Sequence, residues 1–272
     1  QEGEFFAVLG PIGAGKTTMI NIIAGLSRAS AGAAKVMGFD VVDQFRDARR
    51  SIGIVPQELV FDPFFSVRET LRFQSGYFGL KKNDDWIDEL LHSLSLMDKA
   101  DNNMRTLSGG MKRRVMVAQA LVHKPPVIVL DEPTAGVDVE LRQTLWKFIA
   151  GLNQKGHTIL LTTHYLEEAE TLCNRIAMLK KGEVLTVDTT PNLLKKHANQ
   201  TLNMQLNGVL PASLQAKVLK ANVSEGRYTL ALNGPAEIEQ ILAQCRKDHL
   251  DVLECSIEKP DLEEVFVQLM SG

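Results

Sequence analysis

The chain has 272 residues, of which 44% are hydrophobic and 23% are charged, and its formal net charge is −3. These values are typical of a globular protein with one large and one small domain. The charge gives no indication of a broad nucleic-acid surface, and the sequence contains no run of about 18 apolar residues that could span a membrane.

The sequence begins at Gln1, and the first predicted strand, Phe5–Leu9, follows almost at once. We therefore expect the natural protein to carry a further N-terminal segment, so that the chain is N-terminally truncated.

A glycine-rich segment, residues 10–18, lies between this strand and a helical stretch at 16–26. Its spacing, Gly-x-x-x-x-Gly-Lys-Thr in a strand–loop–helix context, favours a phosphate-binding loop over a plain glycine turn. Glycines let successive N–H groups face one concavity, and the helix start adds the positive end of its dipole. Lys16 can reach the β- and γ-phosphates, and Thr17 can ligate Mg²⁺. The segment predicts triphosphate binding by Gly10, Pro11, Ile12, Gly13, Ala14, Gly15, Lys16, Thr17 and Thr18.

The next elements are a predicted strand at 34–39, a short basic helix at 46–50 and a buried strand at 52–57. Gln57 ends that last strand, where α/β sheets place ligand-binding groups. Its amide can offer an oxygen to Mg²⁺ or water.

Residues 58–107 read as mainly helical. Ser66 and Glu69 have the spacing of a capping box, and Asp84 or Asp85 is a candidate cap for the following helix. The aromatic residues concentrated here indicate either core packing or a face that docks a partner.

A second helix start with bare backbone groups follows at LSGGM, where Ser108 is a candidate N-cap before Gly109 and Gly110. It is either a simple cap or a second anion site, and a second site needs another nucleotide or one bound to another copy of the chain. The basic run 112–114 is equally well a solvated helix face.

Two further buried strands end in polar side chains. The strand 127–130 is followed by Asp131 and Glu132, and the strand 158–163 by His164. Parallel strands bring these ends to one sheet edge beside the phosphate loop. There Asp131 is suited to the Mg²⁺ shell, Glu132 to polarising a water, and His164 to contacting the γ-phosphate. The acidic residues at 167, 168 and 170 read as a solvated face.

Beyond residue 198 the pattern changes to strands at 201–206, 227–232 and 252–257, with a helix at 235–248 and a final helix capped by Asp261. This predicts a small accessory α+β domain at 199–272. A regulatory or dimer-supporting role and a purely structural role are both compatible with it.

Six motifs in order, namely the phosphate loop, Gln57, LSGGM, VIVLDE, the AGVD turn at 135–138 and His164, resemble the nucleotide-binding subunits of ABC transporters. LSGGMKRR and TTHYLEEAE are similar to the ABC-2-type exporter ATPases of bacteria. The resemblance implies an α/β P-loop NTPase (ABC ATPase) core at 1–198 with a helical subdomain at about 58–125. It also implies an upstream aromatic residue that stacks on adenine, and Ile12 stands where the family commonly has Asn.

The resemblance further implies a head-to-tail homodimer with two ATP molecules, each held by the phosphate loop of one copy and by Ser108–Gly110 of the other. Glu132 would be the general base, His164 would sense the γ-phosphate, and Asp138 would couple the two sites. A separate membrane permease would dock near residues 57–80. The protein would then lie in the cytoplasm, peripheral on the cytoplasmic face of the inner membrane.

The sequence thus predicts an ATPase, with Mg²⁺ as cofactor, that drives export through a permease, and no nucleic-acid partner is expected. One alternative is a non-transport ABC ATPase acting on DNA or ribosomes, which would favour coiled-coil insertions, tandem ATPase domains or basic patches. A second alternative is a nucleotide-gated binding module without hydrolysis, which the presence of Glu132 and His164 disfavours.

Overall fold

The computed structural model describes residues 1–197, 200–232, 234, 236–258 and 261–271. The chain divides into two units, Gln1–Asp188 and Thr189–Gly272. In chain order the elements up to Thr189 are β1 (Phe5–Leu9), α1 (Lys16–Ile23), β2 (Lys35–Val36), β3 (Phe39–Asp40), α2 (Phe45–Arg50), β4 (Ile52–Val55), α3 (Val67–Tyr77), α4 (Asp84–Ser93), α5 (Gly109–Leu121), β5 (Val127–Asp131), α6 (Val139–Gln154), β6 (Thr158–Thr162), α7 (Leu166–Leu172), β7 (Arg175–Lys180) and β8 (Glu183–Thr189).

A six-stranded sheet in the order β4-β5-β6-β1-β7-β8 forms the centre of the first unit. The pairs from β4 through to β7 are all parallel. Its central strands are almost wholly apolar and buried, as expected for a parallel sheet covered on both faces. This confirms the predicted α/β fold class and places the ends of β1, β4, β5 and β6 at one edge.

The segment 34–39, predicted as one strand, is instead a small antiparallel hairpin of β2 and β3. Met37 and Gly38 both have positive φ, at 50° and 82°. Two successive residues with positive φ form a tight hairpin turn, so the strand cannot continue through them.

The start of α3 confirms the predicted capping box: the Ser66 hydroxyl accepts from the Glu69 N–H, and the Glu69 carboxylate accepts from the Ser66 N–H. The predicted cap of α4 is wrong, since Asn83 is its N-cap position and no side chain caps it. The Asn83 amide instead donates to Ser75 Oγ and to the Val122 carbonyl, at 3.0 and 2.8 Å. A contact to neighbouring helices thus takes the place of a local cap.

The second unit contains α8 (Thr190–His197), β9 (Gln200–Leu206), β10 (Val218–Asn222), β11 (Arg227–Leu232), α9 (Ala236–Lys247), β12 (Val252–Glu258) and α10 (Leu262–Ser271). Its antiparallel sheet has the order β10-β11-β9-β12. Ile241 and Cys245 of α9 share a core with Leu202 and Leu230 of the sheet.

The sequence did not reveal β10, because this edge strand is mostly exposed and has no apolar alternation. The helix α8, which the sequence prediction placed in the first domain, belongs to the second unit because it packs against α10. Among the described residues, no helix combines the length and apolar character needed to cross a membrane.

A close approach between β4 and α5 gives the first testable prediction. A Cβ at Gly53 would lie 2.2 Å from the Ala120 carbonyl oxygen and 2.8 Å from Pro125 Cγ. Gly53→Ala should therefore lower the free energy of unfolding by about 1–3 kcal/mol, the usual cost of overpacking. Urea unfolding of the purified protein measures the change.

Gly151→Ala within α6 is the matched control, since a Cβ there meets no atom within 4 Å. It should stabilise the protein by about 0.5–1 kcal/mol, because alanine favours a helix interior. Equal stability of the two variants would show that the β4–α5 contact is looser than described.

Candidate functional site

The glycine-rich loop runs from the end of β1 to the start of α1, where Gly15 has φ 103° and no side chain caps the helix. Gly13 also has a positive φ, at 79°. A Cβ at Gly10 would lie 2.4 Å from the Leu179 carbonyl oxygen, so the loop needs glycine there for close packing on β7. The first N–H groups of α1 therefore remain available at the mouth of the loop.

Lys16, the first residue of α1, lies along this loop. Its Nζ donates to the carbonyl oxygens of Gly10, at 2.6 Å, and Pro11, at 3.2 Å. These contacts hold a positive charge beside the free N–H groups. The loop thus combines two features that attract a polyanion, oriented amides and a cation.

The three predicted polar residues from the other strand ends meet beside the loop. Gln57 Nε2 donates to Glu132 Oε2 at 3.1 Å, and His164 Nδ1 lies 3.3 Å from the same oxygen. A cavity of about 590 Å³ joins these side chains to the loop, and its lining is Ile12, Gly13, Ala14, Gly15, Lys16, Thr17, Thr18, Gln57, Glu132 and His164. One carboxylate, one amide and one imidazole therefore line the same cavity as the glycine-rich loop.

Glu132 has a left-handed backbone, with φ 47°, which is uncommon outside glycine. Its N–H donates to the Thr162 carbonyl at 3.0 Å and contacts the Thr162 hydroxyl at 3.3 Å. That hydroxyl donates in turn to Asp131 Oδ1 at 2.5 Å. Asp131 is buried and does not belong to the cavity lining.

The Ser108 hydroxyl accepts from the Met111 N–H at 3.2 Å, which confirms Ser108 as the N-cap of α5. Ser108 and Gly109 are exposed, as is Asp138 after β5. Within the described part of the chain, these residues and Gly110 do not line the cavity of the phosphate loop. One chain therefore presents two separate groups of predicted nucleotide contacts.

Two residues of the basic run 112–114, for which a solvated helix face is an equally suitable prediction from the sequence, are buried. Arg113 and Arg114 are 3% and 7% exposed. Three consecutive helix residues span about 200° of the helix circumference, an arc that a solvated face can cover, so the run 112–114 does not by itself reveal which residues are buried.

Glu168 was also predicted to be solvated and is 8% exposed. It accepts hydrogen bonds from the Thr134 hydroxyl at 2.8 Å, from the Trp146 indole N–H at 3.0 Å and from the Thr163 hydroxyl at 2.9 Å. Seven residues of α7 are too few for a periodicity that would reveal the buried position. Glu168 ties the turn after Glu132 to the segment that carries His164.

Comparison with known proteins relates this chain to a family. The sequence model described as ABC transporter matches residues 1–135. The linearmycin resistance ATP-binding protein LnrL of Bacillus subtilis is 32% identical over 99% of this chain and 90% of its own length. The Nod factor export ATP-binding protein I of Rhizobium sp. is 38% identical over 98% of this chain and 88% of its own length.

Solved structures agree with the sequence relatives. An ATP-binding subunit of an ABC transporter has a TM-score of 0.68 and 30% identity, and the match covers 72% of this chain and 82% of that one. A dimeric ATP-binding cassette in a post-hydrolysis state, bound to ADP and Pi, has a TM-score of 0.63 and 30% identity over 70% and 87% of the two chains. A subunit of the cbiONQ complex of Clostridium perfringens has a TM-score of 0.63 and 28% identity over 72% and 81%.

The network around Glu168 gives the second testable prediction. Glu168→Ala leaves two hydroxyls and one indole N–H without their buried acceptor, so we expect the free energy of unfolding to fall by about 2–4 kcal/mol. Thermal or urea unfolding measures it. Glu167→Ala, at an exposed neighbouring position, should change stability by less than about 0.5 kcal/mol, and a similar loss in both variants would contradict the described network.

Proposed function

This chain belongs to the ABC transporter family as an ATP-binding subunit that hydrolyses ATP, and on that premise we propose that it drives export through a separate membrane permease. Two relatives that cover nearly the whole chain are named for linearmycin resistance and for Nod factor export. The observation that carries the mechanism is the convergence of Gln57, Glu132 and His164 on the phosphate loop.

The phosphate loop, residues 10–18, is assigned to the triphosphate. Its main-chain N–H groups and the start of α1 would bind the phosphate oxygens. Lys16 would exchange its bonds to the Gly10 and Pro11 carbonyls for bonds to the β- and γ-phosphates. The loop carbonyls hold the ammonium close to the place where it is needed, which limits the entropy lost on binding.

Mg²⁺ would take the oxygen donors that line the cavity, which are the Thr17 hydroxyl and the Gln57 amide oxygen, and the buried Asp131 carboxylate would contact the ion through water. Among the described residues there is no cluster of three His, Cys, Asp or Glu side chains that could hold a metal by themselves. That agrees with an ion held largely by substrate phosphates and water, as is usual for Mg²⁺. When bound, the ion would neutralise charge on the β- and γ-phosphates.

For hydrolysis we assign Glu132 as general base. Its carboxylate would take a proton from a water whose oxygen attacks the γ-phosphorus, as the bond to the ADP oxygen breaks. Gln57 and His164 both contact Glu132 Oε2 and so orient this carboxylate. His164 is 53% exposed, which leaves its ring accessible to the γ-phosphate.

The position of Ser108–Gly110 outside the cavity supports a site completed by a second copy. In a head-to-tail homodimer, the first N–H groups of α5, at Gly109 and Gly110, would meet the γ-phosphate bound to the partner's loop. Asp138, also exposed, would lie at this interface and couple the two sites. The dimeric cassette bound to ADP and Pi, which this chain resembles, supports such an arrangement.

The general-base assignment gives the third prediction. Glu132→Gln should lower kcat about 100-fold or more, because it removes the base but leaves the phosphate cradle unchanged. The variant should accumulate an ATP-bound dimer, which size-exclusion chromatography with ATP and Mg²⁺ detects. Unchanged turnover would remove Glu132 from this role.

Lys16→Ala is the contrasting variant in this experiment. It should weaken ATP binding itself by roughly tenfold or more, since a charge-assisted contact to the phosphates is lost. Fluorescent-nucleotide titration separates the two effects: Glu132→Gln should retain ATP affinity, and Lys16→Ala should not. Normal ATP affinity in Lys16→Ala would contradict the proposed cradle.

The permease is assigned to the surface near residues 57–80. Phe64, Phe73 and Tyr77 are 78%, 51% and 85% exposed, so these aromatics are not core residues. A neighbouring cavity of about 320 Å³ includes Val60 and Phe78 in its lining. Exposed aromatic side chains beside a concave apolar surface are typical of partner interfaces.

Docking there would hold the protein on the cytoplasmic face of the inner membrane. The alternative, an ABC ATPase that acts on DNA or ribosomes, is less well supported. The net charge of −3 gives no indication of a basic surface that would bind nucleic acid. The relatives described above are named for resistance and export.

Site-specific photocrosslinking tests the docking surface and gives the fourth prediction. A benzophenone amino acid at Tyr77 should form an adduct with a polytopic membrane protein in native membranes, identified by mass spectrometry. The same group at Val184 of β8, which is 59% exposed, is the control and should not. An adduct from position 184 alone, or from ribosomal or DNA-bound fractions, would overturn the assignment.

A further inference from the structure

Arg113 lies in the first turns of α5, the helix that begins at Gly109 after the cap Ser108. Its side chain is 3% exposed. Burial lowers the pKa of Arg113, while the charges of Asp131 and Glu132 oppose that shift. An arginine in this setting stays charged, and a buried charge needs a full set of hydrogen bonds.

All five N–H donors of the Arg113 guanidinium are used, and each goes to a different main-chain carbonyl. Nε donates to Pro133 at 3.0 Å. Nη1 donates to Pro56 at 2.5 Å and to Gln57 at 2.9 Å. Nη2 donates to Asp131 at 2.9 Å and to Glu132 at 2.5 Å.

These five carbonyls belong to two segments that carry catalytic assignments. Pro56 and Gln57 begin the loop after β4, and residues 131–133 end β5 and begin the following turn. Arg113 therefore fixes the main chain on both sides of the Gln57–Glu132 hydrogen bond. It does so from a third segment, the helix that presents Ser108–Gly110.

The contact to the Glu132 carbonyl has a specific consequence. Glu132 has φ 47°, a conformation that a non-glycine residue keeps only where its surroundings enforce it. The N–H of Glu132 donates to the Thr162 carbonyl, and the carbonyl of Glu132 accepts from Arg113. The two contacts together fix the direction in which the carboxylate leaves the main chain.

We propose that Arg113 is a positioning residue for ATP hydrolysis: its guanidinium holds the Glu132 backbone and the Gln57 loop to the helix α5, which follows LSGGM. The proposal rests on the role of Glu132 as general base. A lysine cannot replace Arg113, because one ammonium with three donors cannot reach five carbonyls in two segments.

Arg114 offers a matched control on the same helix. It is also a buried arginine, but its Nη1 donates to the Leu94 and Ser95 carbonyls, at 2.6 and 3.0 Å. Those residues follow α4 and carry no catalytic assignment. Arg113→Lys and Arg114→Lys thus remove a comparable buried guanidinium from two different places.

The first measurement is steady-state ATP hydrolysis by both variants, with thermal unfolding to establish the folded fraction. Arg113→Lys should lower kcat roughly 10- to 100-fold, since small misplacements of a catalytic group have effects of that size. Its KM for ATP should stay near the wild-type value. Arg114→Lys should keep a near-normal kcat even where its melting temperature falls.

The second measurement combines Arg113→Lys with Glu132→Gln. If Arg113 acts through Glu132, the double variant should hydrolyse ATP no more slowly than Glu132→Gln alone. It should also still form the ATP-bound dimer of that variant, which shows that binding is intact.

Three results would overturn the proposal: equal loss of kcat in the two lysine variants, a change in KM alone, or a multiplicative loss in the double variant. Failure of the proposed function itself would give a result that is distinguishable from these three. If Glu132→Gln itself keeps normal turnover, the general base is misassigned, whatever Arg113→Lys does.

Discussion

Parallel pairing in the first unit is the constraint from which the site follows. Val8 and Asp131 both pair with Thr162, and Val55 pairs with Leu130, so four strands end at nearly the same level. The residues that follow these strand ends therefore lie at one edge of the sheet. The phosphate loop, Gln57, Glu132 and His164 meet there although up to about 150 residues separate them in the chain.

Buried polar side chains then fix the main chain at this edge. Arg113 bonds five carbonyls of the Gln57 loop and the Glu132 turn, and Glu168 bonds side chains from the turn after Glu132 and from the segment before His164. Loops alone hold a geometry poorly, because few apolar contacts restrain them. Buried hydrogen-bond networks of this kind supply the rigidity that a preorganised site requires.

The two groups of predicted nucleotide contacts on one chain favour a subunit that acts as a pair. The phosphate loop has its own cavity, and Ser108–Gly110 lie outside its lining. A nucleotide that bridges two copies satisfies both groups at once. Closure of the pair would then depend on the γ-phosphate, and hydrolysis would weaken it. Exposed aromatics near residues 57–80 would pass that change to a membrane partner.

The sequence by itself predicted which residues meet at the site and which strand ends carry them. Local signals sufficed for this: a glycine pattern before a helix, apolar runs that end in polar residues, and the Ser66 and Ser108 caps, which depend on neighbours within three positions. The family resemblance rested on the same motifs.

Only the tertiary structure decided which charged residues are buried. From the sequence, Arg113 and Glu168 are expected at the surface because charged helix residues usually face solvent. The hydrogen-bond partners of Arg113 lie about 20 to 57 residues away in the chain, and those of Glu168 lie up to 34 residues away. The tertiary structure also showed that the chain divides into two units before α8, that a hairpin turns at Met37–Gly38 and that β10 is an exposed edge strand. Each of these features depends on packing or on a left-handed backbone conformation. Residue type alone does not reveal either, because the contacts that stabilise them come from other parts of the chain.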